Sequence, residues 1–220
     1  MTQQPYEQGG IQITSWLHEQ RLAESLEVVV QSGARTILDL GCGDGDLLVR
    51  LAQQPHIDRI VGVDICAASL DRLRARLENL DGTGTAQVEL VQGSMIESRA
   101  AYANFDCAVL IETIEHIAPD RLSVLERAIF AQMRPAMVVI TTPNADYNTL
   151  LGVPSHRFRH PGHLFEWDRA KFGRWARGVA ARNGYAVACR DLAGHHPVLG
   201  GASQMAVFTL AGEAGDQSAA

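Results

Sequence analysis

Glu112, Glu115 and His116, in the stretch Ile111-Glu112-Thr113-Ile114-Glu115-His116, have the residue types and spacing that point first to chemistry. The apolar run before them, 105–111, reads as a strand, which puts Glu112 at a strand tip. A helix beginning near Thr113 would hold Glu115 and His116 in its first turn, able to point back toward Glu112. Two carboxylates and an imidazole converging on one point can hold a divalent metal. The competing account is that acids in a first helical turn simply answer the helix macrodipole. His160 and His163 lie in a loop marked by Pro161 and Gly162. That loop follows a fifth strand, so either histidine can reach the cluster. Two imidazoles with two carboxylates suit Mn²⁺, Fe²⁺ or Co²⁺ better than Mg²⁺, which prefers oxygen throughout, or Zn²⁺, which prefers a tetrahedron. His116, or else His160, is the candidate to take a proton from an acceptor hydroxyl.

A second constellation is the loop Asp39-Leu40-Gly41-Cys42-Gly43-Asp44-Gly45. Its glycines let the backbone turn sharply and approach a ligand closely. Dinucleotide enzymes carry a similar loop, but the position of their third glycine holds Asp46 here. Asp39, Asp44 and Asp46 crowd the loop with negative charge, which repels a pyrophosphate and accepts a zwitterion bearing an ammonium and a sulfonium. Asp64, at the end of a second strand, is placed to accept both hydroxyls of a ribose; its alternative role is to cap the following helix. Ser94 and Met95 follow a third strand, where adenine would lie. The donor implied is S-adenosylmethionine, held by Asp39, Gly41, Cys42, Gly43, Asp64, Ser94 and Met95.

These residues need a scaffold, and the chain's apolar pattern supplies one. Segment 14–30 has apolar residues near helical spacing. Strand-like runs at 36–39, 59–64, 87–92, 105–111 and 137–142 then alternate with helical patterns at 47–53, 67–80 and 119–133. A helix over 169–182 leads into two further strands, 185–191 and 204–210, expected to pair antiparallel. The alternation predicts a single α/β domain over 11–210, a Rossmann-like, mostly parallel seven-stranded sheet with helices on both faces; with the acidic glycine loop, Asp64 and the Gly-Ser after the third strand it resembles the class I methyltransferase fold. Residues 1–10 and 211–220, small and polar, are expected to be disordered tails.

With 220 residues, 46% hydrophobic and 20% charged, the chain is an ordinary globular domain. No apolar run approaches a membrane span, the first ten residues are no signal peptide, and the expected location is the cytoplasm. The four cysteines have no paired spacing and are expected to be reduced thiols. A net charge of −6 argues against nucleic acid, but its distribution argues back. Residues 157–182 carry seven Lys or Arg (Arg157, Arg159, Arg169, Lys171, Arg174, Arg177, Arg182) against Glu166 and Asp168, so this segment is +5 and the remainder −11. One basic face on an acidic body is a candidate surface for a phosphate backbone, with Phe158, Phe165 and Trp167 as candidates to stack on bases.

Taken together, the stretches from Leu17 to Leu22, DLGCGDG from Asp39, IETIEH from Ile111, RPAMVVITTPNADYN from Arg134, RHPGHLFEW from Arg159 and ASQMAVF from Ala202 resemble the small-RNA 3′-terminal ribose 2′-O-methyltransferases, the Hua-enhancer family. The resemblance implies a divalent metal (Mn²⁺ preferred, with Fe²⁺, Co²⁺ or Mg²⁺ as alternatives) on Glu112, Glu115, His116 and His163. It implies an RNA 3′ end with free 2′ and 3′ hydroxyls as acceptor and, for bacterial relatives, an RNA-repair ligase or kinase as partner. One departure stands out: the family usually has Asp directly before the metal histidine, and this chain has Gly162. That change is expected to loosen His163. The rival functions are a metal-dependent O-methyltransferase of a small vicinal diol or catechol, and a non-catalytic binding module.

Overall fold

In the computed structural model, residues 5–80 and 86–211 are described, with the backbone alone for 5–15. Helix α1 (Pro5–Gln31) leads into β1 (Thr36–Leu40), α2 (Leu48–Ala52), β2 (Arg59–Asp64), α3 (Ala67–Glu78), β3 (Gln87–Gln92) and β4 (Cys107–Ile111). The second half comprises α4 (Leu122–Glu126), continued by a π-helical stretch Arg127–Met133, then β5 (Met137–Pro143), α5 (Arg169–Asn183), β6 (Tyr185–Leu192) and β7 (Ser203–Leu210). The expected seven strands all form. Of the two expected tails, 1–4 and 212–220 lie outside the described residues, while 5–10 continue the backbone of α1.

The strands assemble in the order β3-β2-β1-β4-β5-β7-β6, parallel except for β7, which runs antiparallel to both β5 and β6. Each face of the sheet carries its own apolar core. Leu38, Leu40, Val138 and Ile140 pack with Phe130, Phe172 and Ala176 on one side. Ile37, Ile60, Val109 and Val139 pack with Leu48, Leu51 and Leu73 on the other. The central strands β1, β2, β4 and β5, buried on both faces, read as nearly continuous apolar runs in the sequence. The winding direction reverses between β1 and β4, which pair directly. Ligands of such sheets bind beyond the carboxyl ends of the strands at that reversal, and there stand both the glycine loop and Glu112. Among the described residues no helix is long and apolar enough to cross a membrane, and the four cysteines are unpaired.

Candidate active site

The loop after β1 uses glycine where backbone geometry demands it. Gly41 has φ +81°, and a Cβ there would lie 2.6 Å from Thr113 Cγ2. Gly43 has φ +53° with nothing within 4 Å of its missing Cβ, so open space faces it. The Gly43 N–H donates to Asp64 Oδ2 (2.9 Å), and the Cys66 N–H donates to Asp64 Oδ1 (2.7 Å). Asp64 therefore also serves as the turn-holding residue considered above, with one lone pair left on each oxygen. Asp39 is buried, and burial followed by the nearby Asp64 pushes its pKa up to about 7. A cavity of about 180 Å³ lies here, lined by Asp39, Gly41, Cys42 and Gly43 with His18, Arg21 and Glu112. Ser94 and Met95 follow β3 and do not line it. The Ser94 hydroxyl oxygen accepts from the Ile96 N–H, and Met95 packs into the core beside Gly41. Ile65, directly after Asp64, is 70% exposed.

The charge argument needs correction. Asp44 and Asp46 are not free: Arg72 grips Asp44 through two bonds (2.9 and 2.8 Å), and Arg76 reaches Asp46 (2.7 Å). His18 adds a contact to Asp46 at 3.1 Å. The two arginines, four apart on α3, share one helix face. Of the four acids that line the cavity, Asp44, Asp46 and Glu112 each face a basic partner, and Asp39 has no ion pair among the described residues.

On the acceptor side the strand tip is strained and over-held. Glu112 has φ +52°, rare for a non-glycine. Its N–H is held by the Thr141 carbonyl (3.2 Å) and hydroxyl (3.0 Å) oxygens. The Glu112 carboxylate accepts from Ser203 (3.3 Å) and pairs with Arg21 Nη1 of α1 (3.3 Å). Glu115 is fully buried in a 3₁₀ turn, Ile114–His116, where a regular helix was expected. Thr142 donates to it at 2.9 Å. Burial, then the neighbouring Glu112, raises its pKa well above the usual carboxylate range. Oε1 of Glu112 and Oε1 of Glu115 are both buried without a hydrogen-bond partner, an arrangement that costs free energy unless a cation or proton meets it.

The histidine loop docks onto this turn through the Leu164 N–H, which donates to the Glu115 carbonyl oxygen (2.8 Å). It brings His160 and His163 to His116: one nitrogen from each of the three lies within 4.8 Å of the others. The two carboxylates stand beside this group rather than within it. His163 Nδ1 bonds Glu166 Oε1 at 2.6 Å and His116 Nδ1 bonds the Gly162 carbonyl at 2.9 Å. Burial alone would raise Glu166, yet hydrogen bonds from His163, Asn148 and the Arg159 N–H hold its pKa below the usual range. Burial and the two neighbouring imidazoles lower the pKa of His116, against the Gly162 bond. The expected loosening of His163 by Gly162 is thus answered by Glu166, three residues on.

A second cavity, of about 310 Å³, is lined by Glu112, His116, His160, His163, Arg159 and Arg21 among others. It shares Arg21 and Glu112 with the first, so the two cavities meet at that ion pair. Arg21 was missed; its only signal was its place in the Leu17–Leu22 stretch.

The basic face is smaller than the sequence implied. Arg159 spends its guanidinium on the Ala202 and Asn144 carbonyls and on Asn148 Oδ1. Arg169 is bound to the Val198 carbonyl and lies near Asp146 and Asp191, and Arg182 pairs with Glu126. Arg157, Lys171, Arg174 and Arg177 have no ion pair among the described residues. Phe165 and Trp167 are buried and stacked on each other, as core; Phe158 alone is exposed, at 47%.

The reversal-point cleft, with a glycine loop and acid on one side and a polar cavity on the other, defines a class I S-adenosylmethionine-dependent methyltransferase. A family profile described as a methyltransferase domain matches residues 37–136. The methyltransferase domain of a bacterial Hen1, CtHen1-CN, is 34% identical with a TM-score of 0.77, covering 88% of this chain and 100% of that one. The small RNA methyltransferase HEN1 is 31% identical with a TM-score of 0.81, covering 93% of this chain and 27% of that one. The small RNA 2′-O-methyltransferase of Gallus gallus is 38% identical over 186 residues, covering 81% of this chain and 49% of that protein. This chain belongs to the Hen1 family of methyltransferase domains. It spans about half the length, or less, of the curated relatives it matches first.

Proposed function

We propose that this chain transfers the methyl group of S-adenosylmethionine to the 2′ hydroxyl of the 3′-terminal ribose of an RNA, with a divalent metal (Mn²⁺ before Fe²⁺, Co²⁺ or Mg²⁺) held by Glu112, Glu115, His116 and His163. The observation that carries the reading is the meeting of the two cavities at Glu112 and Arg21. A donor held by the glycine loop and an acceptor held among the histidines would touch there and nowhere else.

The residues fit a cation. Two buried carboxylate oxygens lack partners, and His116 and His163 engage only their Nδ1 atoms, leaving Nε2 available. A divalent ion there would supply Lewis acidity to a vicinal diol. Thr142 fixes the Glu115 carboxylate and Thr141 the Glu112 backbone, so the Thr-Thr-Pro-Asn end of β5 sets both acids. Asn144 then ties that strand end to Leu199 and Gly201. On the donor side Asp39 answers the ammonium and Asp64 the ribose hydroxyls, and the adenine would lie toward the segment after β3 that carries Ser94 and Met95, beyond the cavity they do not line. The acceptor oxygen attacks the methyl carbon as the carbon–sulfur bond breaks; S-adenosylhomocysteine leaves as the neutral thioether and the hydroxyl proton passes to solvent, while the protein's main contribution is holding the two reactants in line. An RNA-repair ligase or kinase, in the cytoplasm, is the partner class that this reading carries.

The test is methyl transfer from labelled donor to a short synthetic RNA with and without Mn²⁺, beside the same RNA bearing a 3′ phosphate. Transfer that needs Mn²⁺ and a free 3′ end is the expected result. Donor binding without any RNA transfer would move the assignment to a small vicinal diol or catechol.

A further inference from the structure

Gly162 and Glu166 sort three crowded histidines into two kinds. A neutral imidazole has one N–H and one lone pair, and whatever one nitrogen bonds decides what the other presents. The Gly162 carbonyl and the ionised Glu166 carboxylate can only accept, so the Nδ1 atoms of His116 and His163 carry the hydrogen and their Nε2 atoms the lone pair. His160 is reversed. Its Nδ1 accepts the Gly162 N–H at 3.0 Å, so the hydrogen sits on Nε2. In that state His160 has no lone pair with which to ligate a metal or take a proton. Its Nε2–H has no protein acceptor among the described residues, and the residue lines the acceptor cavity beside Glu112, His116 and His163.

We propose that His160 is a specificity-determining hydrogen-bond donor to an oxygen of the substrate's terminal nucleotide, oriented by the Gly162 peptide, and neither a fifth metal ligand nor the base. The proposal rests on the RNA reading above and sharpens it. It also gives the glycine a reason. A Cβ at 162 would lie 3.1 Å from His160 Nδ1 and 3.3 Å from His116 Nδ1. A side chain there would push both rings, whereas glycine lets one residue hold a histidine with its N–H and another with its carbonyl.

Three measurements on the full chain decide it. Nitrogen NMR of histidine-labelled protein should find Nε2 of His160 and Nδ1 of His163 protonated; a His160 protonated at Nδ1 overturns the proposal. Calorimetric Mn²⁺ titration should leave His160→Ala within about twofold of wild type while His163→Ala weakens binding by roughly tenfold or more. Equal losses in the two variants would make His160 a ligand and overturn it. In RNA kinetics His160→Ala should raise KM roughly tenfold with kcat nearly unchanged, and His160→Gln, whose amide N–H still donates, should recover most of it. A kcat lowered roughly 10²-fold, with a lost acidic limb in the pH profile and no rescue by glutamine, assigns the base instead. Failure of wild-type protein to methylate or bind RNA overturns the RNA reading and the substrate contact with it, while the NMR and Mn²⁺ results still decide the tautomer.

Discussion

Around the donor cavity the shaping is done by backbone: Gly41 and Gly43 at positive φ, and a Gly43 N–H locked to Asp64. Around the acceptor cavity it is done by side chains whose orientation is borrowed from elsewhere: Glu115 from Thr142, His163 from Glu166, His116 and His160 from the carbonyl and N–H of Gly162. A backbone cradle tolerates many side-chain changes and binds a donor common to many enzymes. A side-chain cluster aims a few atoms and so sets which acceptor is used. The comparison teaches that the two halves should fail separately.

The largest separation is expected from Glu115→Ala. Transfer should drop by roughly 10³-fold, the several kcal/mol that a lost charge-stabilising site is worth, while calorimetry finds donor affinity within about twofold of wild type. Equal loss on both sides would mean that Glu115 holds the fold rather than the acceptor.

Asp39 tests the donor half through pH. Its pKa of about 7, against an ordinary 3.8, means that the folded chain keeps a proton which the unfolded chain releases. The stability this proton contributes is complete below about pH 4 and is lost as pH rises through about 7, at most ~4 kcal/mol in all. Denaturant unfolding at pH 5 and pH 8 should show that slope, and Asp39→Asn should flatten it. Because a cationic donor favours the carboxylate, donor affinity should climb with pH up to about 7; an affinity flat across that range would remove Asp39 from the ammonium's neighbourhood.

Glu166→Gln asks whether this carboxylate answers for the missing Asp at position 162. Mn²⁺ affinity should fall between roughly 10- and 100-fold, with donor affinity untouched. The smallest effect concerns the basic face. Arg157→Ala should lower the salt dependence of RNA binding by about one unit of log–log slope. Arg182→Ala, already paired with Glu126, should leave that slope where it is.

The positions of the seven strands along the chain could be read from the amino-acid sequence: β1, β2, β4 and β5 are buried on both faces and so apolar nearly throughout, while the more exposed β3 and β6 show through their β-forming residues. The glycine loop was legible because Gly41 and Gly43 act through local backbone geometry. Glu112, Glu115, His116 and His163 were candidates from their types and the family resemblance. Their roles in space could not be read there, because each depends on a partner far along the chain. Arg21 meets Glu112 across 91 residues, and Gly162 meets His116 across 46. Charge misled for the same reason. Asp44, Asp46, Arg159 and Arg182 look free when counted along the chain, and only folding brings the opposite charge or carbonyl that engages each of them. Residue type and local spacing decided which chemistry was available; tertiary packing decided which lone pair, hydrogen and charge were left to perform it.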